Sequence, residues 1–364
     1  MNNILVVCQD YPDDAHPYKM AWAHTRNVFY QSAGLSTTVC SFSATSGYTF
    51  QSLPVVPGSM LTRDFVSKFD LVALHSPNMR NHLWALRGIR SVPFVVFCHG
   101  TESLYVNKDY PEPYPFMRQS VLSRVIRDAY DMLKMKVLKR FILNRKDRAV
   151  VVFVSEWMRD KFFANVGNLD ELGVTYHIIH NPLWTDFLSR NYRDEAASAP
   201  SADFVTLRRL DFSKYAVDQV CSLAEHNPQY SFHLVGTGDY FKHYAKPGNL
   251  TLINKHIPQS GLADFLSDYR CALMPTRVDA QGVMVCEMAV FGMPVITSDA
   301  PVCHEMLEGF PNVKFLPSGL FASRLADSDF PPSAGPHSAP PRFTSENTVQ
   351  KEVALFQNLL KGRT

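Results

Sequence analysis

The sequence predicts an α/β protein built as two Rossmann-like domains facing a cleft. Short, continuous apolar runs of strand type alternate with helix-length stretches along the chain. That alternation is the mark of parallel sheets covered on both faces. The alternation breaks at Asn191 to Ala202, NYRDEAASAPSA, a polar, small-residue stretch that reads as a linker. The length of 364 residues suits about two domains. The expected division is 1–190, a linker over 191–202, a second domain over 203–344, and a last helix over 345–364 that returns to the first domain.

Composition narrows the function classes. Apolar residues make up 46% and charged residues 19%, ordinary values for a protein with full cores. A net charge of +2 argues against nucleic acid as a partner. The seven cysteines lack C-x2-C pairs or zinc spacing, and Cys8 and Cys98 fall inside strand-like runs. Buried, reduced thiols in a cytoplasmic protein explain this best. No apolar run approaches the length of a spanning helix, and Met1-Asn2-Asn3 lacks the basic start of a signal peptide.

Taken in order, Ile4–Cys8 is a first buried strand. A loop from Gln9 to Lys19 follows, carrying Asp10, Pro12, Asp13, Asp14, His16 and Pro17. A helix over Met20 to Gln31 stops near Gly34. Val39–Phe42, Phe69–His75, Pro93–Cys98 and Val150–Val154 are further strands. Between the last two, Arg118 to Arg148 reads as one long helix. Leu122, Val125, Ile126, Ala129 and Leu133 share one of its faces, consistent with core packing. Lys134, Lys136, Lys139, Arg140, Arg145, Lys146 and Arg148 make its later part basic. That part is either a solvated face or a docking surface for anionic lipid.

In the second half, Phe204–Leu207, Phe232–Val235 and Leu250–Ile253 are strands, with helices near Ser213–Glu225 and Leu262–Tyr269. Cys271–Met274 ends at Pro275. A helix over Val283–Phe291 then stops at Gly292, and Met293–Ile296 is the next strand. Ser328 to Pro341 is a Pro/Ser-rich loop and Glu346 to Leu360 the last helix. Ligands of open α/β sheets sit beyond the carboxyl ends of the strands. That draws attention to Asp279, Gln281 and Gly282, and to Leu207-Arg208-Arg209-Leu210 with Lys214. Glu287 lies in an apolar helix, where an unpaired carboxylate is costly. It either reaches the polar edge or meets a ligand.

Asp279 and Glu287 stand eight apart, with Gly282 between them and Gly292, Pro294, Val295 and Ile296 after. This resembles the E-x7-E signature of the retaining GT-B glycosyltransferases, especially family 4, written E-G-F-G-L-x-x-x-E-A-x-A-x-G-x-P-V-I. Asp279 stands at the first Glu, Glu287 at the second, and Ala280-Gln281 replace Gly-Phe. The family's G-R-L with Lys five residues after the Arg is matched by Arg209 and Lys214, with Arg208 and Tyr215 where the family has Gly. Val235-Gly236-Thr237-Gly238 resembles its G-x-G turn. Val154-Ser155 and Asn181-Pro182 resemble its V-S and N-P segments.

The resemblance implies a metal-independent transferase that moves a sugar from a nucleotide-sugar. A UDP-sugar is expected in preference to a GDP-sugar, with no cofactor. It implies that Glu287 holds the donor ribose, that Asp279 contacts the donor sugar, and that Arg209 and Lys214 neutralise the departing diphosphate. Gly236, His256, Ile257, Gly282, Val283 and Met284 complete the nucleotide-sugar site. His99, at the end of the Pro93–Cys98 strand, is the candidate for contacting sugar or acceptor; the plain alternative is a His bound to its own turn. The acceptor is expected to be a saccharide, plausibly lipid-linked, in bacterial surface polysaccharide (O-antigen, capsule or lipopolysaccharide) synthesis at the inner face of the cytoplasmic membrane. A nucleotide-sugar epimerase or hydrolase, or a catalytically degenerate nucleotide-binding subunit, stand as alternatives. Asp327-Ser328-Asp329 has the spacing of a GT-A metal pair, but its presumed loop reads as a place for solvated acids.

Overall fold

The computed structural model describes residues 2–17, 19–192, 200–255, 257–334 and 340–361. The chain divides into two compact units. One comprises Met1–Val106, Val125–Pro182 and Arg342–Thr364, the other Asn107–Arg124 and Leu183–Pro341. The boundary thus falls before residue 190. Tyr192 already donates its backbone N–H to Phe291 of the second unit. Of the proposed linker, 193–199 lie outside the described residues.

The first unit holds β1 (Asn3–Cys8), β2 (Ser36–Ser41), β3 (Tyr48–Phe50), β4 (Leu53–Pro57), β5 (Leu71–His75), β6 (Phe94–Cys98), β7 (Ala149–Phe153) and β8 (Tyr176–Ile178). Their order is β3-β4-β2-β1-β5-β6-β7-β8, parallel except for β3 against β4. The strands β1, β5, β6 and β7 are buried almost throughout, which explains their unbroken apolar sequences. The last helix, Val349–Lys361, places Val349 and Phe356 in this unit's core.

The second unit holds β9 (Ala202–Leu207), β10 (Phe232–Val235), β11 (Leu250–Ile253), β12 (Tyr269–Met274), β13 (Val295–Ser298) and β14 (Val313–Leu316). All are parallel, in the order β11-β10-β9-β12-β13-β14. Counted from β9 this is the doubly wound 3-2-1-4-5-6 arrangement. Residues 107–124 join this unit because Tyr114 enters its core and donates its hydroxyl hydrogen to Asp218 at 2.7 Å.

Several local expectations are corrected. The helix expected from Ser213 begins at Val217, and Ser213–Tyr215 form a single 3-10 turn. The carbonyls a helix would use there are taken elsewhere. Ser213 O accepts from the Arg277 guanidinium at 2.8 Å, and Lys214 O from the Arg277 N–H at 2.8 Å. Short strands β3, β4, β8 and β14 were not legible as apolar runs.

The long helix is Val121–Leu143. Its apolar stripe does not enter a core. Leu122 is 70% exposed and Ile126 61%, and Val125, Ala129 and Leu133 are exposed as well. Two of its supposed surface cations are buried. Lys134 bonds to Asp131 at 2.9 Å and to the carbonyls of Thr101 and Leu104. Arg145 is spent on the carbonyls of Leu86, Arg87 and Ile89. Asp327 and Asp329 lie in a 3-10 turn, each with its own cation, Arg270 at 3.1 Å and Lys314 at 2.6 Å.

Candidate active site

In the second unit the strand order reverses between β9 and β12, and the groups of interest lie just beyond these two carboxyl ends. The Thr206 hydroxyl donates to Leu273 O at 2.6 Å, and the Thr297 hydroxyl to Met274 O at 2.9 Å. These bonds tie the strand ends together. Gly236 is demanded by close approach: a Cβ there would sit 1.8 Å from Arg208 O. Gly282 has φ +71 and forms the left-handed entry to the helix Val283–Val290. It lets the Asp279 loop turn directly into that helix, whose first residues Val283 and Met284 are half-buried.

Glu287 is buried. One oxygen accepts the Trp184 backbone N–H at 3.0 Å. No cation pairs with it among the described residues. Burial pushes its carboxyl up to about 7, against the pull of that single N–H. Trp184 itself has a buried indole N–H without a partner among the described residues. Asp279 is half-buried and accepts the Ala280 N–H at 2.8 Å.

The two consecutive arginines part company. Arg209 has a side chain 64% exposed, lies 3.6 Å from Asp211 and sits over the Phe212 ring. Arg208 turns inward over Tyr215, with one long contact of 3.5 Å to Met274 O and a buried Nε lacking any partner. Lys214 is half-buried, its Nζ 4.7 Å from the Tyr215 ring and 5.8 Å from that of Tyr110. Ile257 is buried, and His256 lies outside the described residues. The structure therefore brings Arg208, Lys214 and Tyr215 together and leaves Arg209 at the surface.

The first unit has a corresponding reversal between β1 and β5. Gln9 follows β1 there and accepts from Asn78 and Asn81, both at 2.7 Å. Ser76, just past β5, has φ 45. His99 follows β6, half-buried, with its ring 3.8 Å from that of Trp22 and its Nε2 3.1 Å from His75 Nδ1. Burial, then Arg26 and His75, hold His99 well below the ordinary imidazole range, so it is neutral. Its backbone N–H donates to the Glu102 carboxylate, which also accepts from Gly100 at 2.7 Å. Gln9, Trp22, Asn78 and Asn81 were missed in the sequence. Collecting every polar residue within four positions of a predicted strand end would have found Gln9 and Asn78.

Two parallel, doubly wound sheets with polar groups at both switch points define the GT-B class of fold. Residues 204–324, about a third of the chain, match the family model described as glycosyl transferases group 1. The second unit thus carries a glycosyltransferase domain of that group. Among solved structures, the chain is similar to sucrose-phosphate synthase from Thermosynechococcus elongatus, at 12% identity and TM-score 0.66, covering 100% of both chains. It is similar to Anabaena HepE in complex with UDP and glucose, at 14% identity and TM-score 0.63, covering 98% of this chain and 99% of that one. It also resembles WaaG, a glycosyltransferase involved in lipopolysaccharide biosynthesis, at 11% identity and TM-score 0.60 over 88% of each. At such identities the likeness is one of fold. No curated protein matches the sequence.

Proposed function

We propose that the protein is a retaining glycosyltransferase that uses a nucleotide-sugar, a UDP-sugar in preference to a GDP-sugar. The observation that carries this reading is Glu287. It is a buried carboxylate, unpaired among the described residues, on the first helix beyond the switch point of a group 1 glycosyltransferase domain. Ribose hydroxyls would supply the donors its oxygens lack. Asp279 would meet the donor sugar. Lys214 and one guanidinium of the neighbouring Arg208 and Arg209 would take up the charge of the leaving diphosphate, so that no metal is needed. His99, neutral and able to donate and accept, is a candidate contact for the acceptor. The UDP complexes of HepE support the choice of base. A thermal-shift screen of nucleotides tests the reading: UDP should raise the midpoint and GDP should do so less. No shift with any nucleotide would defeat it. Transfer should continue in EDTA, and an absolute need for Mn2+ would defeat the metal-free part.

The acceptor would be a lipid-linked saccharide of a surface polysaccharide, reached from the cytoplasmic face of the membrane. What supports membrane docking is the helix Val121–Leu143. Val121, Leu122, Val125, Ile126, Met132 and Leu133 are each at least half exposed, with Lys136 and Arg140 exposed after them. An apolar face flanked by cations suits the interface of an anionic bilayer. No helix among the described residues is long and apolar enough to cross a membrane. The protein should sediment with anionic vesicles at low salt. Leu122→Ser with Ile126→Ser should abolish this, and Lys136→Ser with Arg140→Ser should weaken it. Wild-type protein left in the supernatant would return the helix to a solvated face.

A further inference from the structure

Arg208 and Asp279 both depart from the pattern the chain resembles, and both lie at the same switch point. They come from neighbouring strands, Arg208 directly after β9 and Asp279 five residues beyond the end of β12. The Asp279 carboxylate is near enough to oppose the effect of burial on the Arg208 guanidinium, and both groups act on the buried Cys303 thiol.

The guanidinium is poorly satisfied for its position. It could donate five hydrogen bonds. Among the described residues it makes one, to Met274 O at 3.5 Å, the outer limit of a hydrogen bond, and its Nε is buried without a partner. No carboxylate ion-pairs with it among the described residues. The residue is half-buried, and a partly desolvated charge without a partner is costly. Arg145 shows what a structural arginine looks like here, with its guanidinium satisfied by the carbonyls of Leu86, Arg87, Ile89 and Phe141. Nor is the Arg208 side chain needed to shape the Gly236 turn, since that close approach involves its backbone oxygen.

We propose that Arg208, and not its exposed neighbour Arg209, is the guanidinium that receives an anionic oxygen group of the donor. The group would be a phosphate of the nucleotide or a carboxylate on the transferred sugar. A planar fork matches either group with two parallel hydrogen bonds. Arg209, solvated and held near Asp211, offers only a screened surface charge. The proposal rests on the reading of the second unit as the donor domain.

The test is calorimetric titration of UDP, UDP-glucose and UDP-glucuronate into the full-length protein and its variants. Arg208→Gly should weaken at least one ligand by about tenfold or more, and by more than Arg209→Ala does. A loss common to all three identifies the diphosphate. A loss confined to UDP-glucuronate identifies the sugar carboxylate. The ligand-free midpoint of Arg208→Gln, free of the added chain entropy of glycine, should equal or exceed that of the wild type, because an ill-paired, partly desolvated cation has gone; a structural role predicts a fall. If the glycine variant does not fold, Arg208→Gln decides by the same titrations. Unchanged affinity for all three ligands, in protein where Glu287→Ala does weaken them, overturns the role of Arg208 and leaves the donor site standing. So does a larger loss from Arg209→Ala. Wild-type protein that binds none of the three overturns both the donor reading and this one.

Discussion

Two glutamates, one in each unit, sit on helices with their carboxylates buried, and they are kept in opposite ways. Glu352, on the last helix of the first unit, accepts from Arg26 Nε at 2.9 Å and from the Tyr30 hydroxyl. Burial pushes its carboxyl up, but Arg26 and Tyr30 pull it down. Glu287, in the second unit, has one backbone N–H and no cation among the described residues. The Glu352 cluster spans more than 320 residues of sequence and ties the chain's last helix to its first. Glu287 ties the start of its unit to a helix by a single bond that a neutral amide could make as well. A buried acid whose partners are complete is a fastening. One whose partners are missing fits the proposed role of a group that takes its donors from a ligand.

The contrast is most open to attack through stability. Glu352→Ala should cost about 3–5 kcal/mol in chemical denaturation, because it leaves Arg26 buried and unpaired. Glu287→Ala should cost far less, and equal losses would end the distinction.

Next in size is a pH effect. The Glu287 carboxyl titrates at about 7 in the fold against an ordinary 4.5. Between those values the folded state holds a proton that the unfolded chain releases. Its contribution is therefore complete below pH 4.5 and is lost as pH rises through 7. The loss is on the order of 3 kcal/mol. Glu287→Gln should flatten the stability profile over this window and be the more stable protein above it. Parallel profiles would show the acid to be paired.

Lys214→Ala should lower turnover by about 10²-fold with little change in donor binding, since its charge matters most as the diphosphate departs. Loss of binding in equal measure would make Lys214 a ground-state contact. Smallest, Glu287→Ala should weaken UDP by about tenfold in calorimetry at pH 8, where the carboxylate is ionised. Unchanged affinity would turn Glu287 into a second, poorer fastening.

Much of this could be read from the sequence. The alternation of Ile4–Cys8, Phe69–His75, Pro93–Cys98 and Val150–Val154 with helices is a local signal, because strands buried on both faces must be apolar throughout. The same signal fails for the edge strands Tyr48–Phe50 and Tyr176–Ile178 and for Leu53–Pro57 beside the first of them, all with partial burial and mixed sequence. The helix Val121–Leu143 misled for a related reason. Periodicity shows that an apolar stripe exists, but not which way it faces. Residues 122–133 carry a sound amphipathic pattern whose apolar side is exposed, and the core instead takes Met135, Leu138, Phe141 and Ile142.

By itself, then, the sequence determined the α/β architecture, the strand ends where chemistry gathers, and the spacing of Asp279, Gly282 and Glu287. Each depends on neighbours within a turn or a strand. Only the tertiary structure decided which charges there are satisfied. Arg208 and Arg209 are adjacent and chemically identical, yet one is half-buried over Tyr215 and the other solvated beside Asp211. Glu352 finds Arg26, and Glu287 finds only a backbone N–H. Pairing inside a protein is set by groups brought from distant parts of the chain into a low-dielectric interior, where a missing partner costs most.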